Sequence, residues 1–126
     1  TVICFAGDGD FLMSGQELAT AVQYELPVVI LVINNGMYGT IRMHQERHYP
    51  GRVFGTDLVN PDFARYAEAF GAFGEVVERT EQFEGAFERA LAAGRPALLE
   101  LRVDPEGITP RHTLMQIREA AQARTA

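Results

Sequence analysis

Two short polar turns, each directly following an apolar run, limit what this chain can fold into. Val2-Ile3-Cys4-Phe5-Ala6 leads into Gly7-Asp8-Gly9, and Val28-Val29-Ile30-Leu31-Val32-Ile33 leads into Asn34-Asn35. Short apolar runs bounded by turn residues read as buried strands, and the residues between them hold a helix-length segment. Strand, helix, strand in that order predicts a parallel pair joined by a crossover. Open sheets of this kind take ligands outside the carboxyl ends of their strands, which is where Asp8 and Asn35 are expected to meet.

The rest of the chain continues the alternation. Ser14-Gly15-Gln16-Glu17 has the form of a capping box, so a helix is expected over 14–25, with Leu18, Ala21, Val22 and Leu26 apolar and Pro27 as its stop. The strand after Pro27 is apolar on both faces, as a central parallel strand is. A short helix is expected over 37–45 and a long loop over 47–60, which holds Pro50, Gly51 and Gly55. Asn60-Pro61 predicts a helix to about residue 70, with Asn60 as its N-cap and Pro61 at its first position. A strand over 73–77, a helix over 80–93 capped by Thr80 and closed by Gly94, a strand over 97–103 and a final helix over 113–123 complete the order. The expected fold is α/β, an open and mainly parallel sheet with helices on both faces. The span 1–126 is expected to be a single, partial domain, truncated at its N-terminus because it starts at Thr1 inside a strand.

Charge and composition narrow the partners. The net charge is −6 with 11 Lys and Arg residues and no basic run, which argues against nucleic acid or an anionic membrane as a main partner. No apolar stretch approaches the ~20 residues of a membrane span. The one cysteine, Cys4, is expected to be buried in the first strand; it excludes an internal disulfide and fits a reducing cytoplasm.

The strand-end residues suit a hard cation carrying a phosphate. Asp8 brings an anionic oxygen, Asn35 a neutral side-chain oxygen, and the Met37 carbonyl in the following turn a third donor. Such a set fits Mg²⁺, which binds through few protein ligands and leaves positions for diphosphate oxygens and water. Gly7 and Gly9 let the backbone approach and aim amides at phosphate, and a helix starting near Ser14 would present its positive end to the same anion. Either motif alone is a common turn; the pair, each ending a buried strand, is the stronger signal.

Gly7-Asp8-Gly9-Asp10-Phe11, Gln16-Glu17-Leu18, Leu26-Pro27-Val28 and Asn34-Asn35-Gly36-Met37-Tyr38-Gly39 together resemble the thiamine diphosphate-dependent enzymes, in the acetolactate synthase and 2-oxo acid decarboxylase branch. The later helix-strand order and Leu99-Glu100-Leu101-Arg102-Val103 look like the rest of that family's C-terminal pyrophosphate-binding domain. The resemblance implies thiamine diphosphate and Mg²⁺ as cofactors, with Asp8, Asn35 and the Met37 carbonyl as metal ligands. It implies that Gly7, Gly9 and Asp10 meet the diphosphate and that Tyr38 and Gly39 lie along it. The reaction implied is decarboxylation or carboligation of a 2-oxo acid, the cofactor holding the electron pair left when CO₂ departs. In the family the activating glutamate belongs to a pyrimidine-binding domain of the same or a neighbouring subunit, so homo-oligomers are expected and the isolated chain is expected to be inactive. The family's acetohydroxyacid synthases carry a substrate-selecting tryptophan at about the position of His44, and this chain has no tryptophan.

Competing motifs are weaker. His44 and His48 share a helix face in the manner of a zinc pair, but no third ligand is evident. Asp8-Gly9-Asp10 also resembles the strand-end acids of phosphoryl-transfer hydrolases, a class that needs a lysine this chain lacks. A dinucleotide fingerprint would place glycine where Leu12 stands. Phe63, Tyr66 and Phe70, at helical spacing, read as core or subunit contacts. The alternative to an enzyme domain is a stand-alone module that binds a cofactor or partner without turnover.

Overall fold

The structure is a computed structural model and describes residues 1–125. Four strands, β1 (Val2–Gly7), β2 (Val28–Asn34), β3 (Phe73–Val77) and β4 (Ala97–Arg102), form one sheet in the order β1-β2-β4-β3, and every neighbouring pair is parallel. The helices are α1 (Asp8–Ser14), α2 (Leu18–Gln23), α3 (Gly39–His48), α4 (Phe63–Ala69), α5 (Thr80–Ala92) and α6 (Leu114–Thr125), with a 3₁₀ turn at Gly15–Glu17. The chain divides into two compact units. The first contains Thr1–Asn34 and Asn60–Arg102, the second Asn35–Val59 and Val103–Ala126.

The first unit holds the whole sheet and both apolar clusters. Successive strand side chains point to opposite faces, so β2 and β4 each feed two cores. Val32 and Leu98 pack with Phe11, Leu18, Phe63 and Ala67 under α1, α2 and α4. Val29, Leu31, Ala97 and Leu99 pack with Ala86 and Ala90 of α5 on the other face. The expected α/β architecture, with helices on both faces of a parallel sheet, is the one found. In the second unit α3 packs on α6, tied by Glu46. That side chain is wholly buried and accepts hydrogen bonds from Arg42, Arg118 and the Gly51 amide.

Four local expectations need correction. The first helix begins at Asp8, not Ser14: the Asp10 carboxylate accepts from the Gly7 amide at 3.3 Å and opens α1, and the backbone breaks at Ser14 (φ −142°, ψ 14°) into the 3₁₀ turn. Ser14 makes no capping bond. The cap of α4 is Asp62, which accepts from the Arg65 amide at 2.9 Å, so Asn60 and Pro61 lie before the helix. Cys4 is exposed, because β1 is an edge strand; its neighbours Val2 and Phe5 are 67% and 72% exposed. Thr80 is the first residue of α5 and not its cap; Arg79 stands at the cap position, its amide donating to Gln82 Oε1 at 2.9 Å. β3 and β4 match the expected strands to within one residue, and α5 ends just before Gly94 as expected.

Candidate functional site

One candidate group, in the first unit, lies at the carboxyl ends of β1 and β2. The last residue of β1 is Gly7, and Asp8, Gly9 and Asp10 form the first turn of α1. Asp8 is 2% exposed. Its Oδ1 accepts from the Gly9 amide at 3.0 Å and its Oδ2 from Asn60 Nδ2 at 2.7 Å. The same Asn60 nitrogen donates to Asn34 Oδ1 at 2.8 Å, and Asn34 Nδ2 donates to Glu100 Oε1 at 2.9 Å. Period-2 alternation explains the meeting: Asn34 shares a face of β2 with Val32, and Glu100 shares a face of β4 with Leu98, beneath α4. Glu100 is 1% exposed yet well supplied with donors. Arg102 Nε adds a bond to Oε1 at 3.1 Å, and the Phe63 amide at the start of α4 donates to Oε2 at 3.0 Å. A buried carboxylate is tolerable only with such partners.

A second candidate group, in the other unit, is the turn from Asn35 to Gly39. Asn35 Oδ1 accepts from the Met37 amide at 3.1 Å, which curls the side chain over its own turn and leaves that oxygen a further lone pair. Met37 forms an isolated antiparallel bridge with Asp57, made by Tyr38 N to Thr56 O at 2.8 Å and Leu58 N to Gly36 O at 2.9 Å. Those bonds spend the Gly36 carbonyl and the Tyr38 amide, so the Met37 carbonyl takes no part in them. Gly39, the first residue of α3, has no room for a side chain: a Cβ there would lie 2.6 Å from Ile108 Cδ1 and 2.8 Å from Asn35 Nδ2.

The donors of each group are of the kind a divalent cation takes. The first group offers the buried Asp8 carboxylate. The second offers an amide oxygen with capacity left and a backbone carbonyl outside the bridge bonds. Among the described residues no group of three or more His, Cys, Asp and Glu could hold a metal; a carboxylate combined with neutral oxygens is a donor set of another kind. His44 and His48 stack with ring centroids 6.3 Å apart and acquire no such partner. No helix among the described residues is long and apolar enough to cross a membrane.

Asn60 and Glu100 are the residues that sequence reasoning missed. By local sequence Asn60 reads as a helix cap and Glu100 only as part of a strand. A charged residue inside the run Ala97-Leu98-Leu99-Glu100-Leu101 was the available signal, since a carboxylate on a buried face requires donors close by.

A parallel sheet with polar residues at its strand ends defines an α/β ligand-binding domain, and comparison with known proteins identifies which. The sequence model described as "Thiamine pyrophosphate enzyme, C-terminal TPP binding domain" matches residues 1–101, and the chain belongs to that family. It is 38% identical over 105 residues to the acetolactate synthase isozyme 2 large subunit of Escherichia coli (strain K12), which covers 82% of this chain and 19% of that protein. It is 36% identical over 124 residues to the acetolactate synthase large subunit of Haemophilus influenzae, covering 96% of this chain and 21% of that protein. A solved structure, the thiamine diphosphate-dependent 4-hydroxybenzoylformate decarboxylase of Rhodococcus jostii RHA1, superposes with a TM-score of 0.77 at 39% identity, over 82% of this chain and 20% of that one. The chain thus spans about a fifth of the length of the proteins it resembles.

Proposed function

We infer that this chain is the metal-diphosphate grip of a thiamine diphosphate-dependent enzyme acting on a 2-oxo acid, as a decarboxylase or carboligase. Asp8, Asn35 and the Met37 carbonyl hold Mg²⁺. Gly7, Gly9 and Asp10 approach the diphosphate through their backbone, and Tyr38 and Gly39 line it. The observation that carries this reading is the buried Asp8 carboxylate, held at a strand end by the Gly9 amide and Asn60 in a chain of this family.

When bound, thiamine diphosphate supplies an electron sink for decarboxylation. The residues of this chain bind and orient. Asp8 neutralises part of the cation's charge, Asn35 and Met37 add neutral oxygens, and Gly39 leaves Asn35 the space its amide needs. The group that activates the cofactor is assigned to a pyrimidine-binding domain of the same or a neighbouring subunit. Hence the 126-residue chain by itself is expected to bind without turnover. The enzyme it belongs to is a homo-oligomer of the cytoplasm in this reading.

Calorimetry with thiamine diphosphate tests the grip. Heat that requires Mg²⁺ and disappears in Asp8→Ala and in Asn35→Ala supports it. Binding that persists in both variants would overturn the ligand assignment, and pyruvate decarboxylation by the isolated chain would overturn its incompleteness.

A further inference from the structure

Asn60 touches Asp8 through a chain of amides that can point only one way. The Glu100 carboxylate accepts from Phe63 and Arg102 and presents Oε1 to Asn34 as an acceptor, so Asn34 turns its Nδ2 toward it, at 2.9 Å. That leaves Asn34 Oδ1 facing Asn60, which must answer with Nδ2, at 2.8 Å. The second hydrogen of the same nitrogen then points at Asp8 Oδ2, at 2.7 Å. Reversing either amide would set oxygen against oxygen, or nitrogen against nitrogen, at hydrogen-bond distance. Glu100, which dictates the sense, is itself anchored by the Phe63 amide and Arg102.

The chain carries information between distant parts of the sequence. Asp8 follows β1, Asn34 ends β2, Asn60 precedes α4, and Glu100 sits in β4. A carboxylate with one oxygen held by its neighbour's amide and the other by Asn60 has its plane set before any ligand arrives. Partners of this kind orient a metal ligand without touching the metal.

We propose that Asn60 and Glu100 are positioning residues for Asp8, acting through Asn34 to set the carboxylate that receives the divalent cation. The proposal rests on the reading of Asp8 as a metal ligand. Neither residue touches the metal in this assignment.

The test uses the complete gene product and two readouts. Mg²⁺ is titrated calorimetrically at saturating thiamine diphosphate into wild type, Asn60→Ala and Asn60→Asp. The aspartate keeps the shape of asparagine but replaces its two hydrogens with lone pairs, so a packing role would tolerate it and a donor role would not. Mg²⁺ affinity is expected to fall about ten- to a hundred-fold in both variants. Unchanged affinity in Asn60→Asp, with wild type binding, overturns the positioning role and leaves the proposed function standing. No heat with wild type overturns the function, and the positioning role with it. Separately, in the metal-free protein, Glu100→Ala should move the Asn60 side-chain NH₂ resonances in a ¹H–¹⁵N spectrum by more than it moves the Asp62 and Ala64 backbone amides, which report the other bond of Glu100, to the Phe63 amide. If Glu100→Ala does not fold, Asn34→Ala breaks the same chain one link nearer. Asn60 resonances that stay in place in a folded variant overturn the relay.

Discussion

Replacing Glu46 with glutamine should loosen the packing of α3 on α6, and the loss should depend on pH in a defined direction. The Glu46 side chain is wholly buried. Oε1 accepts from Arg42 Nε at 3.0 Å and Arg118 Nη2 at 2.6 Å, and Oε2 accepts from Arg118 Nε and the Gly51 amide, each at 2.9 Å. The two-pronged bond from Arg118 is the chief cause that brings the carboxyl from 4.5 down to about 2; burial opposes it, and the Gly51 amide and Arg42 reinforce it. A folded pKa below the unfolded one means that the stabilisation is complete above the unfolded value of 4.5 and is lost as pH falls through about 2. At ~1.4 kcal/mol per pH unit, the drop amounts to about 3 kcal/mol at neutral pH. Removing one partner of a buried pair costs about 3–5 kcal/mol, and partial exposure of both arginines places this case at the lower end. Urea unfolding followed by helical circular dichroism measures the gap between wild type and Glu46→Gln. We expect about 3 kcal/mol at neutral pH, narrowing to about 1 kcal/mol near pH 3. A gap that stays constant with pH, or one well below about 1 kcal/mol at neutral pH, would refute the reasoning.

Three further outcomes follow from local geometry. Gly74→Ala should destabilise by about 1–3 kcal/mol or more, because the new Cβ would press on the Ala64 carbonyl and lift α4 from β3; an unfolding midpoint equal to wild type would contradict this. Asp62→Ala should cost about 1 kcal/mol through loss of the α4 cap, with little added by the exposed Arg65 ion pair, and Asp62→Asn should restore most of it in the same urea assay. Gly39→Ala forces its Cβ against Asn35 Nδ2 and Ile108. It should therefore weaken Mg²⁺-dependent cofactor binding in calorimetry while α3 retains its helical signal, and full affinity in that variant would count against Asn35 as a ligand.

Where the signal was periodic, the sequence was legible. The runs at β1 and β2 could be read as parallel neighbours because turn residues bound them and a helix-length segment separates them, and the register pairs Gly7 with Ile33. The strand β3 and helix α5 were legible for the same reason. The start of α1 was not, because Gly7-Asp8-Gly9 satisfies a turn as readily as a helix entry. What decides is tertiary: Phe11 of α1 reaches the core with Val32 and Leu18, which turning the chain into helix at Asp8 makes possible. Cys4 misled through the same local bias, since an apolar run does not say whether its strand has a neighbour on each side.

Asn60 shows where local reading runs out and what replaces it. Within Asn60-Pro61-Asp62 the proline favours Asn60 as the cap, and the structure uses Asp62. The choice is made by Glu100. Its carboxylate takes the Phe63 amide, one of the N–H groups that a helix start leaves without an internal partner, and so fixes where α4 begins. With Phe63 at the first position, Asp62 is the cap and Asn60 stands clear of the helix, with its amide available to Asp8 and Asn34. The buried charge in β4 thus sets both the helix boundary and the partner of the proposed metal ligand. A carboxylate in an otherwise apolar strand poses a question that the sequence already contains, namely which donors surround it. Following that question from Glu100 leads to Asn34 and from there to Asn60, along the hydrogen bonds that join the sheet to the site.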